Sequence, residues 1–383
     1  MITLLWAVLA VIVLIVLAIG LWFLKAIVQG ALEGWRSGSE EPDGSDESDG
    51  SDESDGPYEL PEECAAIGLL PPDRQNTDSA SPVPAELTAA LDAVARGEWE
   101  PAAALLGRTA AERDWENRSS YAFDLGEKAA QDDTWLLAWE TARPDDPDAA
   151  VVRARSTVCL AWEIRGGKRA QYTTGEQFRG FHATLQRSRA ETERAAGLNP
   201  EDPTPYITEI WTALGLGYPH AEMDRIWAAV TERAPYHYEA HFSAVQYWCQ
   251  KWRGSHELAR AFAAEAAAKA PLGSLLTAFP LIVHFEHDET TDQEVDRTPE
   301  MVALVDAALA DVAAADPAHP RLAEVRHLLA YYLSLQDRDE AAVEQFRLVD
   351  GYVGALPWRY RADPAAEYCS LRDQSVRAAP ATA

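Results

Sequence analysis

Cysteine is scarce in this sequence, which has four cysteines in 383 residues and no CxxC spacing among them. Small secreted domains that depend on disulfides carry many more, and structural zinc sites use closely spaced pairs. The sequence therefore excludes a disulfide framework and a cysteine-based zinc site. It predicts buried free thiols in a reducing compartment.

Basic residues are also few. Lys and Arg number 33 against 62 Asp and Glu, which leaves a formal net charge of −29 at pH 7. The segment from 40 to 63 is acidic without any basic residue, and the remainder of the chain is acidic as well. A protein that binds nucleic acid needs a basic face to displace the counterions of the phosphates. We therefore expect no nucleic-acid partner.

No recognised catalytic or cofactor motif is present. No Ser or Thr sits in a nucleophile elbow, and the Gly-Gly pair at 166–167 lacks the spacing of a phosphate-binding loop. Cys249 and His256 suggest a thiol and a base, but Gly254 ends the helix that would align them. The sequence predicts that the protein is not an enzyme and needs no cofactor.

The histidines suggest the main alternative. His237 and His241 stand four residues apart, a spacing that can hold a divalent metal on one helix face, and His284 and His287 follow. The zinc-protease pattern and a third ligand are not evident. We expect polar groups at a helix start beside packed tyrosines. The alternative is a membrane-bound hydrolase or metal-binding protein that uses residues 237–287.

A long apolar run is present near the N-terminus. Leu4 to Leu24 contains no charge, and a helix of about 20 apolar residues is long enough to span a hydrocarbon core. Lys25 and Arg36 follow the run, and the positive-inside tendency places the chain beyond it in the cytoplasm. We therefore predict a single-pass protein of the cell membrane, with a transmembrane anchor and short amphipathic extension over 1–36.

A tether follows the predicted anchor. Residues 37–84 lack hydrophobic periodicity and contain the acidic hexad SDESDG twice, followed by several prolines. Such a composition cannot bury enough apolar surface to offset the entropy cost of ordering the chain. The acidic hexads have some of the spacing of a calcium-binding loop, but the full pattern of that loop is not present. We predict a disordered linker over 37–84 and a disordered tail over 373–383. Docking of the patch from Tyr58 to Leu70 on the following domain is the alternative for that patch.

Beyond the linker, amphipathic helices follow one another, and Gly and Pro separate them. One predicted helical hairpin turns at Gly97, and another turns at 336–339. In the second hairpin, Ala330 and Ala342 allow the two helices to approach closely, and Phe346 fills the gap between them. That combination of small and large residues is similar to a tetratricopeptide repeat.

Prolines recur at a spacing close to the 34-residue period of such repeats, at Pro200, Pro235 and Pro271. A residue that precedes proline is pushed out of the α conformation, so each proline indicates a helix end. We therefore predict an all-α protein in which residues 85–372 form a tetratricopeptide-like solenoid of helical hairpins. An irregular helical bundle is the alternative.

Three stretches of the domain carry a further resemblance. They are Leu198–Pro205, Arg233–His241 and Gln246–Ser255. With them, the domain resembles a family of uncharacterised, tetratricopeptide-like proteins from high-GC Gram-positive bacteria, most closely over 174–276. The resemblance implies the helical fold and no particular chemistry.

The predicted function is a membrane-tethered scaffold or adaptor that recruits a protein or peptide partner. The first helices of such repeats face the concave surface where peptides bind. The groove candidates on these helices are Tyr206, Glu209, His237, His241 and Tyr247. An acidic scaffold favours basic partner segments. With reversed topology, the alternative is an extracytoplasmic structural or assembly subunit; the oligomeric state is left open.

Overall fold

The computed structural model describes residues 58–166, 172–287 and 293–379. The predicted anchor at 1–36 and the linker as far as residue 57 lie outside these ranges. Over the described ranges the chain is all-α, as the sequence predicts, and strand-like pairing is limited to one isolated bridge between Asn76 and Tyr352. No helix in these ranges combines the length and the apolar character that crossing a membrane requires.

Most of the helices in the described chain are joined by short turns. They are α1 (Glu62–Ala66), α2 (Ala85–Ala95), α3 (Glu100–Glu112), α4 (Trp115–Gln131), α5 (Thr134–Ala142), α6 (Pro147–Arg165), α7 (Gly175–Leu198), α8 (Thr204–Leu216), α9 (His220–Arg233), α10 (Tyr238–Trp248), α11 (His256–Lys269), α12 (Phe279–His287), α13 (Pro299–Ala314), α14 (Leu322–Leu335), α15 (Asp339–Val349) and α16 (Pro364–Ala378). Short 3-10 turns lie at Pro72–Arg74, Leu276–Ala278, Gln293–Arg297 and Trp358–Tyr360.

Side chains at the helix starts explain several of these boundaries. Thr174 and Gln177 form a reciprocal capping box at the start of α7, in which each side chain accepts a hydrogen bond from the other residue's backbone N–H. Ser255 caps α11 by accepting from the backbone N–H of Leu258 at 3.2 Å. Such caps satisfy donors that a helix N-terminus otherwise leaves unpaired, so local polar residues determine where these helices begin.

The helical hairpins that the sequence predicts are present. α2 and α3 pack together around Gly97, whose φ of +84° is readily adopted only by a residue without a Cβ. In the hairpin of α14 and α15, Ala330, Ala342 and Phe346 are completely buried. α8 and α10 begin 34 residues apart, and each pairs with the helix that follows it.

Helix α4 departs from a simple stack of hairpins. It packs against α6, α8 and α10, whereas each repeat of a regular array contacts only its neighbours. Arg118 of α4 is completely buried, and it pairs with Asp148 of α6 and with Asp202 ahead of α8 at 2.7 Å each. The helices around α4 are therefore tied together by a buried ion-pair triad as well as by apolar packing.

One of these helix contacts depends on glycine. A Cβ on Gly126 of α4 would lie 2.6 Å from Cγ of Arg155 on α6, closer than real Cβ contacts allow. The glycine lets Arg155 lie directly against α4, where its guanidinium is 4.1 Å from the centre of the Phe123 ring. Gly126 thus positions a buried charge between α4 and α6.

Residues 58–79 form an ordered strap on the C-terminal helices, so the prediction of a disordered linker is wrong for residues 58–79. Cys64 in α1 is completely buried. The backbone N–H of Leu70 donates to Asp350 at 2.7 Å, and its carbonyl accepts from Nη1 of Arg372 at 2.7 Å. The anchoring partners lie about 300 residues away in the sequence, and local composition gives no sign of them.

The strap ends in backbone pairing with the segment that follows α15. Asn76 donates to the carbonyl of Gly351 at 2.9 Å and accepts from Val353 at 2.7 Å. Gly354 donates to the carbonyl of Ser79 at 2.9 Å, and a Cβ on this glycine would lie 2.5 Å from the nitrogen of Ser79. α2 begins soon after Ser79, so the strap connects the two ends of the helical domain.

The last helix also extends further than the sequence predicts. Residues 373–378 were expected in a disordered tail, but they form the last turns of α16. Asp373 is buried and pairs with Arg372 at 2.8 Å, and it accepts from the hydroxyl of Tyr58 at 2.6 Å. The tail prediction is wrong for these residues because the strap covers the end of α16.

Candidate partner-binding surface

Three of the five predicted groove residues are buried in the helical core. His237, at 3 % exposure, precedes α10 and caps it, because its Nδ1 accepts from the backbone N–H of Ala240 at 3.3 Å. Its Nε2 lies 2.9 Å from the carbonyl oxygen of Trp115 and 3.1 Å from Oγ of Ser119. His237 therefore joins α10 to α4 and presents no surface to a partner.

His241 and Tyr247 are equally enclosed. Nδ1 of His241 lies 2.8 Å from the carbonyl oxygen of His237, and its ring meets Trp227 edge-on at 4.9 Å. Burial lowers the pKa of His241 to about 4. The hydroxyl of Tyr247 donates to the carbonyl of Tyr218 at 2.6 Å. Both side chains are part of the core.

Tyr206 and Glu209 lie on α8 and are half-buried. The guanidinium of Arg233 lies 4.6 Å from the centre of the Tyr206 ring. Desolvation raises the pKa of Glu209, against the effect of Arg189 on α7 and Arg225 on α9. Because His237, His241 and Tyr247 are buried and only Tyr206 and Glu209 keep accessible surface, the prediction that all five residues line one groove is wrong.

Charged side chains from three parts of the chain meet instead in what we call the inner network. Glu239 of α10 pairs with Arg321 at 2.9 Å, and Arg321 pairs with Glu324 of α14 at 2.7 Å. Arg359 in the last 3-10 turn reaches Glu324 at 3.4 Å. Burial opposes ionisation of Glu324, but Arg321 and Arg359 hold its pKa below the ordinary value. Each of these side chains keeps between 13 % and 27 % exposure, so solvent reaches the network.

The inner network continues into a cluster of tryptophans. Ser243 accepts from Nε1 of Trp211 at 2.9 Å and donates to Glu239 at 3.4 Å. Trp162 meets Trp211 edge-on at 6.0 Å and Trp252 at 5.5 Å. All three tryptophans are half-buried, so aromatic surface borders the charged groups.

Three carboxylates near this network have no counter-ion, and we call them the acidic strip. Asp124 and Glu127 lie on α4 and Glu163 lies on α6; within the ranges that the structure describes, no basic nitrogen comes within 4.0 Å of them. Asp124 is half-buried, whereas Glu127 and Glu163 expose much of their surface; the helices packed around them still partly desolvate all three carboxyls. This desolvation raises the pKa of Asp124 to about 6 and of Glu127 to about 7, and it also raises that of Glu163.

Arg155 lies beside the acidic strip. It is 6 % exposed, and its Nε has no hydrogen-bond partner among the described residues. Its charge lowers the pKa values of Asp124 and Glu127, but the desolvation of both carboxyls outweighs it. Near pH 7 Glu127 is partly protonated, whereas Asp124 is mostly ionised, so the strip carries negative charge that the fold only partly compensates. An ammonium or guanidinium group from outside suits this charge and would favour ionisation of Glu127.

The acidic strip could not be recognised from the sequence. Asp124 and Glu127 are three residues apart, the spacing of one helix face, but acidic residues on exposed helix faces are common and give no signal alone. Glu163 joins them because the contact at Gly126 brings α6 against α4. The distinguishing property is the missing counter-ion, and it depends on tertiary packing.

The histidine-rich region 237–287 is spread over separate environments. In the described part of the chain, no group of three or more His, Cys, Asp or Glu side chains is arranged to hold a metal. His284 pairs with Asp296 at 3.0 Å. The helix α10 ends before Cys249. Burial raises the pKa of the Cys249 thiol to about 12, so this cysteine forms no thiolate near neutral pH.

No protein-family model, curated protein or solved structure matches this chain. The resemblance to a family from high-GC Gram-positive bacteria therefore stays a prediction, and function has to be inferred from the inner network and the acidic strip.

Proposed function

We propose that this protein is a membrane-tethered, tetratricopeptide-like scaffold that binds a protein or peptide partner and has no catalytic activity of its own. The 34-residue offset between the starts of α8 and α10 supports the repeat-like architecture. The uncharged run from Leu4 to Leu24 supports the anchor. The helical domain then lies at the cytoplasmic face of the cell membrane, with residues 37–57 as an acidic spacer.

The acidic strip carries this proposal. Partly desolvated charges without a partner are unfavourable, and the half-buried carboxylates Glu239 and Glu324 avoid this by pairing with arginine. A lysine or arginine of a partner supplies the missing charge to Asp124, Glu127 and Glu163. We therefore propose a basic partner segment, with an association that weakens as salt rises.

The tryptophan cluster offers such a segment apolar contacts. Trp162 directly precedes Glu163 on α6, and its ring meets Trp211 and Trp252. Half-buried tryptophans are frequent energetic centres of protein interfaces because they bury a large area with few rotatable bonds. The proposed surface therefore combines charge, which attracts the partner, with aromatic groups, which retain it.

Cross-linking in intact cells followed by affinity purification tests this function. The informative variant combines Asp124→Asn, Glu127→Gln and Glu163→Gln in the full-length chain. The matched control combines Glu193→Gln, Glu344→Gln and Glu367→Gln, which remove the same number of charges from exposed positions elsewhere. We expect partners to be lost or depleted at least about tenfold in the strip variant and retained in the control.

Equal recovery of partners by both triple variants and by the wild type would refute the role of the strip. Circular dichroism of each purified variant shows whether the helical fold is intact, so a folding defect is not mistaken for a binding defect. A reporter fused to the C-terminus tests the topology separately. Reporter activity on the outer side would instead support an extracytoplasmic assembly subunit.

A further inference from the structure

His256 and His287 bring two imidazole rings together outside the proposed partner surface. His256 is the first residue of α11 and His287 is the last residue of α12. Their ring centres are 4.3 Å apart, and the ring planes are inclined by 45°. The pair therefore connects the start of one helix with the end of the next.

The hydrogen bonding of His287 determines which of its nitrogens is available. Nδ1 lies 3.0 Å from the carbonyl oxygen of Val283, and a carbonyl only accepts, so Nδ1 carries the proton. Nε2 then bears the free lone pair. It is buried and has no hydrogen-bond partner among the described residues. Proteins orient metal-binding histidines in this way, with one nitrogen fixed by a backbone carbonyl and the other left free.

We infer that His256 and His287 form a two-histidine site for a borderline divalent transition metal, such as Cu²⁺, Ni²⁺ or Zn²⁺. Neutral imidazole nitrogen is a preferred ligand of these ions. A metal–nitrogen distance of about 2.1 Å to both rings requires the two rings to move apart from their present contact. The two imidazole rings are the protein ligands of the proposed site, and water fills the remaining coordination positions of the metal ion.

The neighbouring charged groups are already paired with each other. Lys251 binds Glu286 at 2.7 Å, and Glu286 also accepts from Gln246 at 3.0 Å. The lysine charge is thereby balanced, and the carboxylate is engaged. Mg²⁺ and Ca²⁺, which require several oxygen ligands, do not fit this site. A bound transition metal would join α11 to α12, and it is independent of partner binding at the acidic strip.

Copper titration of the full-length protein, purified without a polyhistidine tag, tests the site. We expect one Cu²⁺ per chain, with electron paramagnetic resonance showing coupling to two imidazole nitrogens. Ni²⁺ should bind more weakly than Cu²⁺, and Co²⁺ more weakly again. His256→Gln and His287→Gln should each remove one nitrogen coupling and weaken binding at least about tenfold.

His182→Gln is the matched control, because His182 is an exposed histidine on α7. It should leave both the affinity and the two-nitrogen signal unchanged. His256→Gln keeps the test decisive if His287→Gln fails to fold by circular dichroism, because His256 is only half-buried. Unchanged copper binding in His256→Gln, or an equal loss in His182→Gln, would overturn the inference.

Discussion

Arg372 and Arg155 are both buried arginines, but their surroundings differ. Arg372 is completely buried and pairs with Asp350 at 2.7 Å and with Asp373 at 2.8 Å, and it also donates to the carbonyl of Leu70. No carboxylate lies within 4.0 Å of Arg155 in the described ranges. The charge of Arg372 is thus paired within the fold at the strap. Arg155 and the carboxylates of the acidic strip form no ion pairs with each other, and we propose that a partner binds there.

Replacing Arg372 by methionine should give the largest effect. The substitution leaves Asp350 and Asp373 buried without their partner, and breaking a buried ion pair on one side costs about 3–5 kcal/mol. Urea unfolding of the full-length protein, followed by circular dichroism, measures this loss. Arg377→Met is the control on the same helix; Arg377 is 56 % exposed, so a change within about 0.5 kcal/mol is expected. Equal unfolding midpoints for the two variants would show that the strap junction contributes little.

Gly354 tests the packing of the strap, and Gly197 is a control in α7. Alanine at the two positions should change the free energy of unfolding with opposite signs. Gly354→Ala places a Cβ 2.5 Å from the nitrogen of Ser79, and overpacking of this kind costs about 1–3 kcal/mol. Gly197→Ala lies inside α7 with no atom within 4 Å of the new Cβ, so it should stabilise by about 0.5–1 kcal/mol. Thermal unfolding of both variants measures the difference. Stabilisation by both alanines would mean that the strap is not packed against Gly354.

Arg155→Met compares the second arginine directly with Arg372. The change removes the contact of the guanidinium with Phe123 but strands no paired carboxylate, so we expect a loss of about 1–2 kcal/mol. Urea unfolding of Arg155→Met and Arg372→Met under the same conditions compares their losses in unfolding free energy. A loss as large as that of Arg372→Met would show that Arg155 compensates the acidic strip more fully than its geometry suggests.

The acidic strip should make stability depend on pH. Folding raises the pKa of Asp124 from 3.8 to about 6 and of Glu127 from 4.5 to about 7, so the folded state binds more protons between about pH 4 and 7. The contribution of these two carboxyls to wild-type stability therefore falls as pH rises through this window. The double variant with Asp124→Asn and Glu127→Gln should be more stable than the wild type at pH 8. The difference in unfolding free energy between the two proteins should become smaller towards pH 4. Urea midpoints at several pH values measure it; a constant gap would contradict the raised pKa values.

The hairpins could be predicted because the residues that specify each one lie close together in the sequence. Ala330, Ala342 and Phe346 alternate small and large residues at helical spacing, and Gly97 marks a turn within one hairpin. The strap could not be predicted in the same way. Its prolines and acidic neighbours are typical of disorder, while Cys64 and Leu70 find their partners on helices at the other end of the chain.

The predicted groove failed for a different physical reason. Histidines and tyrosines occur both in cores and on binding surfaces, and residue type does not distinguish the two. His241 and Tyr247 are on the helix that the repeat pattern assigns to the concave side, but His241 packs against Trp227 of α9, and Tyr247 donates to the carbonyl of Tyr218 ahead of α9, so both are buried. Packing between helices, which residue type does not reveal, determined which side chains stayed accessible.

The salt dependence of cross-linked partner recovery tests most directly whether the uncompensated strip is the binding surface. The wild type and the variant with Asp124→Asn, Glu127→Gln and Glu163→Gln are compared at low and high salt. We predict that the wild type releases its partners as salt rises, and that the variant recovers few at either concentration. Full recovery by the variant at low salt, with the salt response of the wild type, would contradict the account.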